Sequence, residues 1–199
     1  MTNRVMPTDS RSMPRDNDLY LKIVREVLQQ DQAAGPLRLP VVSDSMRPLL
    51  RAGDWIFVEA VTPPALGLGD IIVVQRGAEL ITHRVVAQDE QGWRTHGDNT
   101  RVLDSVVPAE EIVGRVSAIE RGTHRIDLQA RRWQTVNRWI GRIDRAKLRV
   151  FEMGRATPFR SARRLSTLAV WPFQAVLRLV VAVELKLSKR KDAREVKVE

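Results

Sequence analysis

The sequence predicts a mainly β domain, a compact and partly closed antiparallel β-barrel or sheet, followed by a basic α-helical C-terminal extension. The first observation is a series of short apolar runs after Leu37, broken by Gly, Pro and Asp, which is typical of strands joined by turns. The second is a change to helical spacing of apolar residues after Arg121. The third is charge: residues 1–120 carry 13 Lys and Arg against 17 Asp and Glu, whereas residues 121–199 carry 20 against 7.

The apolar runs define the predicted strands. Turn signals separate them, and no helical period of comparable strength interrupts them. Because an exposed sheet edge invites pairing with other chains, we expect the sheet to close or to fold over itself. The predicted strands are Leu37–Val42, Trp55–Glu59, Ile71–Gln75, Leu80–Ala87 and Ile112–Ile119.

The chain is predicted to have three parts. Residues 1–18 are polar and rich in Pro, Asp and Ser, so they are interpreted as a disordered lead. Residues 19–120 form the β domain with a short N-terminal helix over Leu19–Gln30, and residues 121–199 form a basic helical tail. A chain of 199 residues with 43% apolar content can bury the core of one domain plus an appendage.

Three stretches of the β domain carry residue types used in nucleophilic catalysis. Ser45 follows a predicted strand, His83 lies within one, and Gly97-Asp98-Asn99 is followed by Asp104. A serine hydroxyl becomes a nucleophile when a neighbouring base accepts its proton and a third group fixes the tautomer of that base. Taken singly, a turn serine or a strand histidine is more often structural, so only their combination indicates catalysis.

Several ordered blocks together resemble the signal peptidase I family of serine peptidases, and in particular its archaeal, endoplasmic-reticulum and sporulation-type branch. The usual bacterial branch has a lysine before Arg-Val, whereas this chain has His83, so the resemblance implies a Ser-His enzyme. The resemblance covers roughly residues 37–120. It includes the self-cleaving repressor peptidases, which are related to this family. The matching blocks are Ser43-x-Ser45-Met46-x-Pro48-x-Leu50-x-x-Gly53-Asp54, Gly69-Asp70-Ile71-Ile72, His83-Arg84-Val85, Gly97-Asp98-Asn99 with Asp104, and Ile112-Val113-Gly114-Arg115-Val116.

The resemblance implies a role for the residues around the serine. Ser45 would be the nucleophile, and the Ser43 hydroxyl and the Ser45 backbone N–H would form the oxyanion hole. His83 would be the general base and then the general acid. The resemblance also implies small side chains just before the cleaved bond.

Two aspartates, Asp98 and Asp104, are candidates for the group that orients His83. Asp104 stands at the spacing of the His-type branch and is the first choice, with Asp98 holding the surrounding loop, but the reverse assignment stays open. Arg84 alternates with His83 along the strand and is expected to pack or to form a salt bridge. His96 and His124 are interpreted as ordinary surface or turn histidines.

The tail is interpreted separately, because the resemblance ends near residue 120. One predicted helix carries apolar residues at helical spacing with arginines on its other face, which suits docking on the β domain or contact with a membrane surface. Residues 165–187 reach the length of a bilayer span, but their internal charges favour an in-plane amphipathic helix. The apolar residues of the first helix are Trp133, Val136, Trp139, Ile140 and Ile143.

These observations favour a serine endopeptidase that cleaves a peptide or precursor protein without cofactor or metal. The chain has no cysteine, and its histidines lack a metal-binding spacing. Neither a secretory signal nor an N-terminal transmembrane anchor is visible, so the expected location is the cytoplasm or, through the basic tail, the membrane surface. Two alternatives remain: a self-cleaving regulator cut at Ala34-Gly35, and a non-catalytic module that binds membrane or nucleic acid, with nucleic acid the less expected partner. The sequence predicts no oligomeric state.

Overall fold

The fold is mainly β, as predicted. In this computed structural model the structure describes residues 35–100 and 103–156, together with residues 19, 22–24, 26, 175, 178, 179, 181–183 and 186. All five predicted strands are found, and two further strands, β5 and β7, were missed. The elements are β1 Leu37–Pro40, β2 Trp55–Glu59, β3 Ile71–Arg76, β4 Glu79–Asp89, β5 Gly92–His96, β6 Ile112–Arg121, β7 His124–Asp127 and α1 Arg131–Ala156, with 3-10 turns at Pro63–Ala65 and Ala109–Glu111.

The seven strands form one antiparallel sheet. Its order is β1-β2-β6-β3-β4-β5, and β7 pairs with the end of β6. Within the described part of the chain no ladder joins β1 to β5, so the sheet is open and not closed into a barrel. The long strand β6 explains this arrangement, because β3 pairs with its first half and β7 with its second half along the same edge.

The sheet buries apolar side chains on both of its faces. Ile71 and Val73 of β3 belong to one buried cluster, whereas Ile72 and Val74 belong to another. This division follows from the alternation of successive side chains across a strand. The first cluster also contains Trp133 and Ile140 of α1 and the isolated described residues Val24 and Val181. The helix and parts of both flanking segments therefore share a core with the sheet.

The docked face of α1 is the apolar one predicted from the sequence, with one correction. Trp133 and Ile140 are buried and Val136 packs against them, but Trp139 is 58% exposed and lies under the guanidinium of Arg142. Trp139 is six residues after Trp133, which turns it by about 240° around the helix and away from the sheet. Docking on the β domain is thus observed for this helix.

Backbone contact fixes the depth of this docking. A Cβ at Gly69, which has a φ of +95°, would lie 2.3 Å from the backbone oxygen of Asn137, and a Cβ at Gly141 would lie 2.9 Å from the Cα of Gly69. Two glycines thus let the helix approach the turn that precedes β3. Neither contact can be relieved by rotating a side chain, because both involve backbone atoms.

A methyl group at this contact is expected to destabilise the protein. Gly141→Ala would favour an isolated helix by about 1 kcal/mol. The steric conflict with Gly69 opposes this gain, so we expect the free energy of unfolding to fall by about 1–3 kcal/mol in total. Urea denaturation measures it, with Arg138→Ala on the exposed face as the control, expected to change stability by less than about 0.5 kcal/mol. A Gly141→Ala variant that is more stable than wild type would contradict the close contact.

Several predictions for the flanking segments fall mainly outside the described residues. Leu19, residues 22–24 and Glu26 are helical, in agreement with the predicted N-terminal helix, whereas residues 1–18 lie outside. Most of residues 165–187 also lie outside, so their predicted contact with a membrane surface stays a prediction. Of the helices in the part of the chain that the structure describes, none has the length and apolar character needed to cross a membrane.

Candidate active site

Ser45 lies in the turn that connects β1 to β2, as its sequence position predicts. Its Oγ is 3.2 Å from the Oγ of Ser43, so the two hydroxyls share a hydrogen bond. Met46, 1% exposed, anchors the turn in the core directly behind Ser45. The serine side chain is therefore presented from a turn whose next residue is fixed by packing.

His83 lies on β4 and forms a pair with Asp104. Its Nδ1 is 2.5 Å from Oδ2 of Asp104, and the hydroxyl of Thr95 donates to the same oxygen at 2.6 Å. Since a carboxylate only accepts hydrogen bonds, Nδ1 carries the proton in this pair and Nε2 has the lone pair. Neutral His83 is thus held in the tautomer that can accept a proton at Nε2.

The charge of Asp104 is stabilised by this arrangement. Burial by itself would raise the pKa of Asp104, but the hydrogen bonds from His83 and Thr95 outweigh it, and the pKa is lowered from its usual value. The carboxylate consequently stays ionised when it faces His83, and it can stabilise a positive charge that forms on the imidazole.

Gly97 brings the serine turn and the histidine to the same place. A Cβ at Gly97 would lie 2.8 Å from Nε2 of His83 and 2.9 Å from the backbone oxygen of Ser45. Nε2 of His83 and the backbone of the Ser45 turn therefore both lie next to Gly97. The neighbouring Asn99 donates its backbone N–H to the same Ser45 oxygen at 2.8 Å and ties the two loops together.

Of the predicted site residues, the structure joins Ser43 to Ser45 and His83 to Asp104. Among the described contacts Ser45 Oγ makes its hydrogen bond with Ser43 and makes none with His83. Catalytic hydrogen bonds often tighten only when a substrate is bound, so this geometry is compatible with proton transfer after a rotation of Ser45.

Asp98 contacts Arg84 and not His83. Its two oxygens accept from Nε and Nη2 of Arg84 at 2.8 and 2.7 Å, and both side chains are fully buried. Burial would lower the pKa of Arg84, but the charge and hydrogen bonds of Asp98 outweigh it and raise that pKa above its usual value. The predicted salt-bridge role of Arg84 is confirmed, and Asp98 holds the loop after β5.

The interpretation of His96 as a surface or turn histidine is wrong. His96 is on β5, is 0% exposed, and has its Nδ1 3.9 Å from Oδ2 of Asp144 on α1. The error follows from missing β5, whose pairing with β4 sets His96 opposite Arg84. Sequence reasoning also missed Thr95, because β5 was not identified, and Asn137, for which there was no sequence signal.

A cavity of about 500 Å³ adjoins Ser45. Both Ser43 and Ser45 line it, together with apolar side chains from the end of β1, the serine turn and the start of β4. The first residues of β4 lie beside it, and in the described sheet β5 pairs with β4 only from Arg84 onward. An extended chain can therefore approach the serine along this strand.

A serine turn that lines a cavity, and a histidine–carboxylate pair whose histidine lies on β4, both carried by an open antiparallel sheet, are features of the serine peptidase class. The chain belongs to the Peptidase S24-like family, whose family model matches residues 13–117, just over half of the chain. This membership supports a serine peptidase or a self-cleaving repressor-type function. Comparison with curated proteins finds no match.

Proposed function

We propose that this protein is a serine endopeptidase that resembles signal peptidase I and cleaves a peptide or precursor protein through a Ser45–His83–Asp104 mechanism. The observation that carries the proposal is the bond from His83 Nδ1 to Asp104, with Nε2 and the turn of Ser45 both next to Gly97. A histidine in this tautomer is what a serine nucleophile requires of its base. The presence of His83 in place of lysine supports the Ser-His branch.

The mechanism follows from the direction of these hydrogen bonds. Ser45 Oγ attacks the scissile carbonyl while its proton passes to Nε2 of His83, and ionised Asp104 stabilises the imidazolium that forms. The imidazolium then gives the proton to the leaving amine, which produces the acyl-enzyme and free amine. Water then attacks the ester with His83 again as base, the bond to Ser45 Oγ breaks to release the carboxylic acid product, and His83 returns the proton to Oγ.

Ser43 supports the assignment of an oxyanion hole. Its hydroxyl lies 3.2 Å from the attacking oxygen of Ser45 and can donate, together with the Ser45 backbone N–H, to the oxygen that becomes negative. A donor of this kind commonly contributes about 3 kcal/mol to lowering the barrier.

The lining of the cavity and its position beside β4 favour an extended peptide as substrate. Its lining near the serine is largely apolar, with Leu39, Val42 and Leu80 among the contributing side chains. A substrate strand would hydrogen-bond to the start of β4 and present alternate side chains to the apolar wall. Small side chains just before the cut are what the resemblance implies for this position.

Self-cleavage is a second candidate, and the family membership favours it. The Ala34-Gly35 bond precedes β1, and the end of β1 lines the cavity. Ala34 itself lies outside the described residues. Cleavage there would require the chain before β1 to fold back toward Ser45.

Reaction with a fluorophosphonate serine probe tests the proposed function. We expect the wild type to be modified at Ser45, located by peptide mass mapping, because the turn of Ser45 and Nε2 of the proposed base His83 both lie next to Gly97. Ser43→Ala should be labelled more slowly and still at Ser45, whereas Ser45→Ala should not be labelled. The same samples, incubated without probe, report a break after Ala34 if the chain cleaves itself. Labelling of Ser45→Ala at the wild-type rate would reject the mechanism.

A further inference from the structure

The helix α1 contributes a side chain to the polar network behind the catalytic strand. Oδ1 of Asn137 accepts a hydrogen bond from Nη1 of Arg84 at 2.9 Å, and the backbone oxygen of Gly69 accepts from the same nitrogen at 2.9 Å. Arg84 follows His83 directly on β4. Nη1 of Arg84 thus donates both to α1 and to the turn before β3, from the same strand that carries the proposed base His83.

The other side of Arg84 leads to the loop that surrounds the active site. Its Nε and Nη2 bind both oxygens of Asp98, the residue that follows Gly97. Gly97 is in close contact with the His83 ring, and Asn99 binds the backbone of Ser45. A continuous path of contacts therefore runs from α1 through Arg84 to both proposed catalytic side chains.

Because Arg84, Asp98 and Asn137 are buried, the loss of any one of the hydrogen bonds between them is expected to disturb the others. Arg84 is 0% and Asn137 7% exposed, so water does not readily replace a lost partner. Nη1 has two protons, and its two acceptors are Gly69 and Asn137, so removal of Asn137 leaves one buried N–H without its acceptor. Arg84 must then shift, and Asp98 moves with it because their bond is bidentate.

We propose that Asn137 is a positioning residue for His83 and Ser45, and that α1 is thereby a working part of the peptidase although it lies beyond the matched residues 13–117. The inference rests on the proposed function for its kinetic consequence. Structurally, Asn137 fixes the position of Arg84. Arg84 in turn holds the loop of Gly97 in contact with the ring of His83. The close contact of Gly69 with the helix backbone holds Asn137 at the required distance.

The test compares Asn137→Ala with two other variants of the full chain. Asn137→Asp keeps an oxygen acceptor for Arg84. Ile126→Val, a mild truncation in the same core on β7, is the matched control for a general loss of stability. All are assayed well below their unfolding temperatures for kcat and KM on a peptide that the wild type cleaves and for the rate of probe labelling. The resonance of the proton between His83 and Asp104, assigned by its loss in His83→Gln, gives a readout that needs no activity.

We expect Asn137→Ala to lower kcat and the labelling rate by about tenfold with KM nearly unchanged, and to shift the His83 proton resonance. Asn137→Asp should retain most of the wild-type kcat, and Ile126→Val should match wild type in both readouts. Equal behaviour of Asn137→Ala and Ile126→Val would overturn the inference. If Asn137→Ala does not fold, Asn137→Ser, whose side chain is too short to reach Arg84, carries the same comparison.

The two readouts separate this inference from the proposed function. A wild type without Ser45-dependent turnover or labelling, in which Asn137→Ala still shifts the His83 resonance, would reject the peptidase mechanism and leave the positioning intact. An active wild type with an unmoved resonance and unchanged kcat in Asn137→Ala would reject the positioning and leave the mechanism intact.

Discussion

We expect His83→Ala to lower kcat by about a million-fold, because the proposed nucleophile, Ser45, then loses its proposed general base. His83 Nε2 and the turn of Ser45 both lie next to Gly97, and Nδ1 is bound to Asp104, so no other imidazole has this position. Without a base, the hydroxyl of Ser45 stays protonated at the moment of attack. Residual turnover would come from the oxyanion hole and substrate binding alone.

Peptide hydrolysis and probe labelling at neutral pH measure this loss. His124→Ala, at the start of β7, is the matched control and should keep wild-type turnover. If Ser45 and His83 act as the proposed unit, the double variant with Ser45→Ala should be no slower than Ser45→Ala alone. A His83→Ala variant that retains more than about a hundredth of the wild-type kcat would rule out His83 as the general base.

The strands that the sequence predicted share a simple signal. Ile71–Val74 is a continuous apolar run that the sheet buries on both faces, and such runs are recognisable without knowledge of their partners. Strands β5 and β7 lack this signal, because β5 begins at Gly92, β7 begins two residues after Gly122, and neither contains a continuous apolar run.

The choice between Asp98 and Asp104 depended on the pairing register of β4 and β5, which the sequence does not show. The pairing of Arg84 with His96 across β4 and β5 brings the loop after β5 back over Arg84, which sets Asp98 against the guanidinium. Asp104 N–H donates to the backbone of Thr95, which directs its carboxylate to His83. Two aspartates six residues apart therefore contact different partners, and the strand pairing determines which partner each one has.

The contact of Asn137 with Arg84 joins residues 53 positions apart. Helical spacing correctly identified the face of α1 that docks, since hydrophobic burial repeats along the helix. A single polar residue on that face produces no periodic signal. Contacts between single polar residues that are far apart in the sequence are consequently the part of a site that sequence patterns do not reveal.

Asp104→Asn is expected to lower kcat by about ten-thousandfold while the protein stays folded. The asparagine amide can donate to Nδ1, which favours the proton on Nε2 and so removes the lone pair that Ser45 needs. It also lacks the negative charge that stabilises the imidazolium. Asp89→Asn, an exposed carboxylate paired with Arg94, is the control and should leave kcat unchanged.

The pH dependence of stability gives an independent check on the same residue. Because the pKa of Asp104 is lowered in the folded protein, the ionised carboxylate contributes stability above its unfolded pKa, and this contribution is lost as the pH falls through the folded pKa. The difference in free energy of unfolding between wild type and Asp104→Asn should therefore be largest near neutral pH and shrink in acid. Urea denaturation at a series of pH values measures it. A difference that stays constant into acid would mean that Asp104 does not hold its charge against His83, and the proposed role of this carboxylate would fail with it.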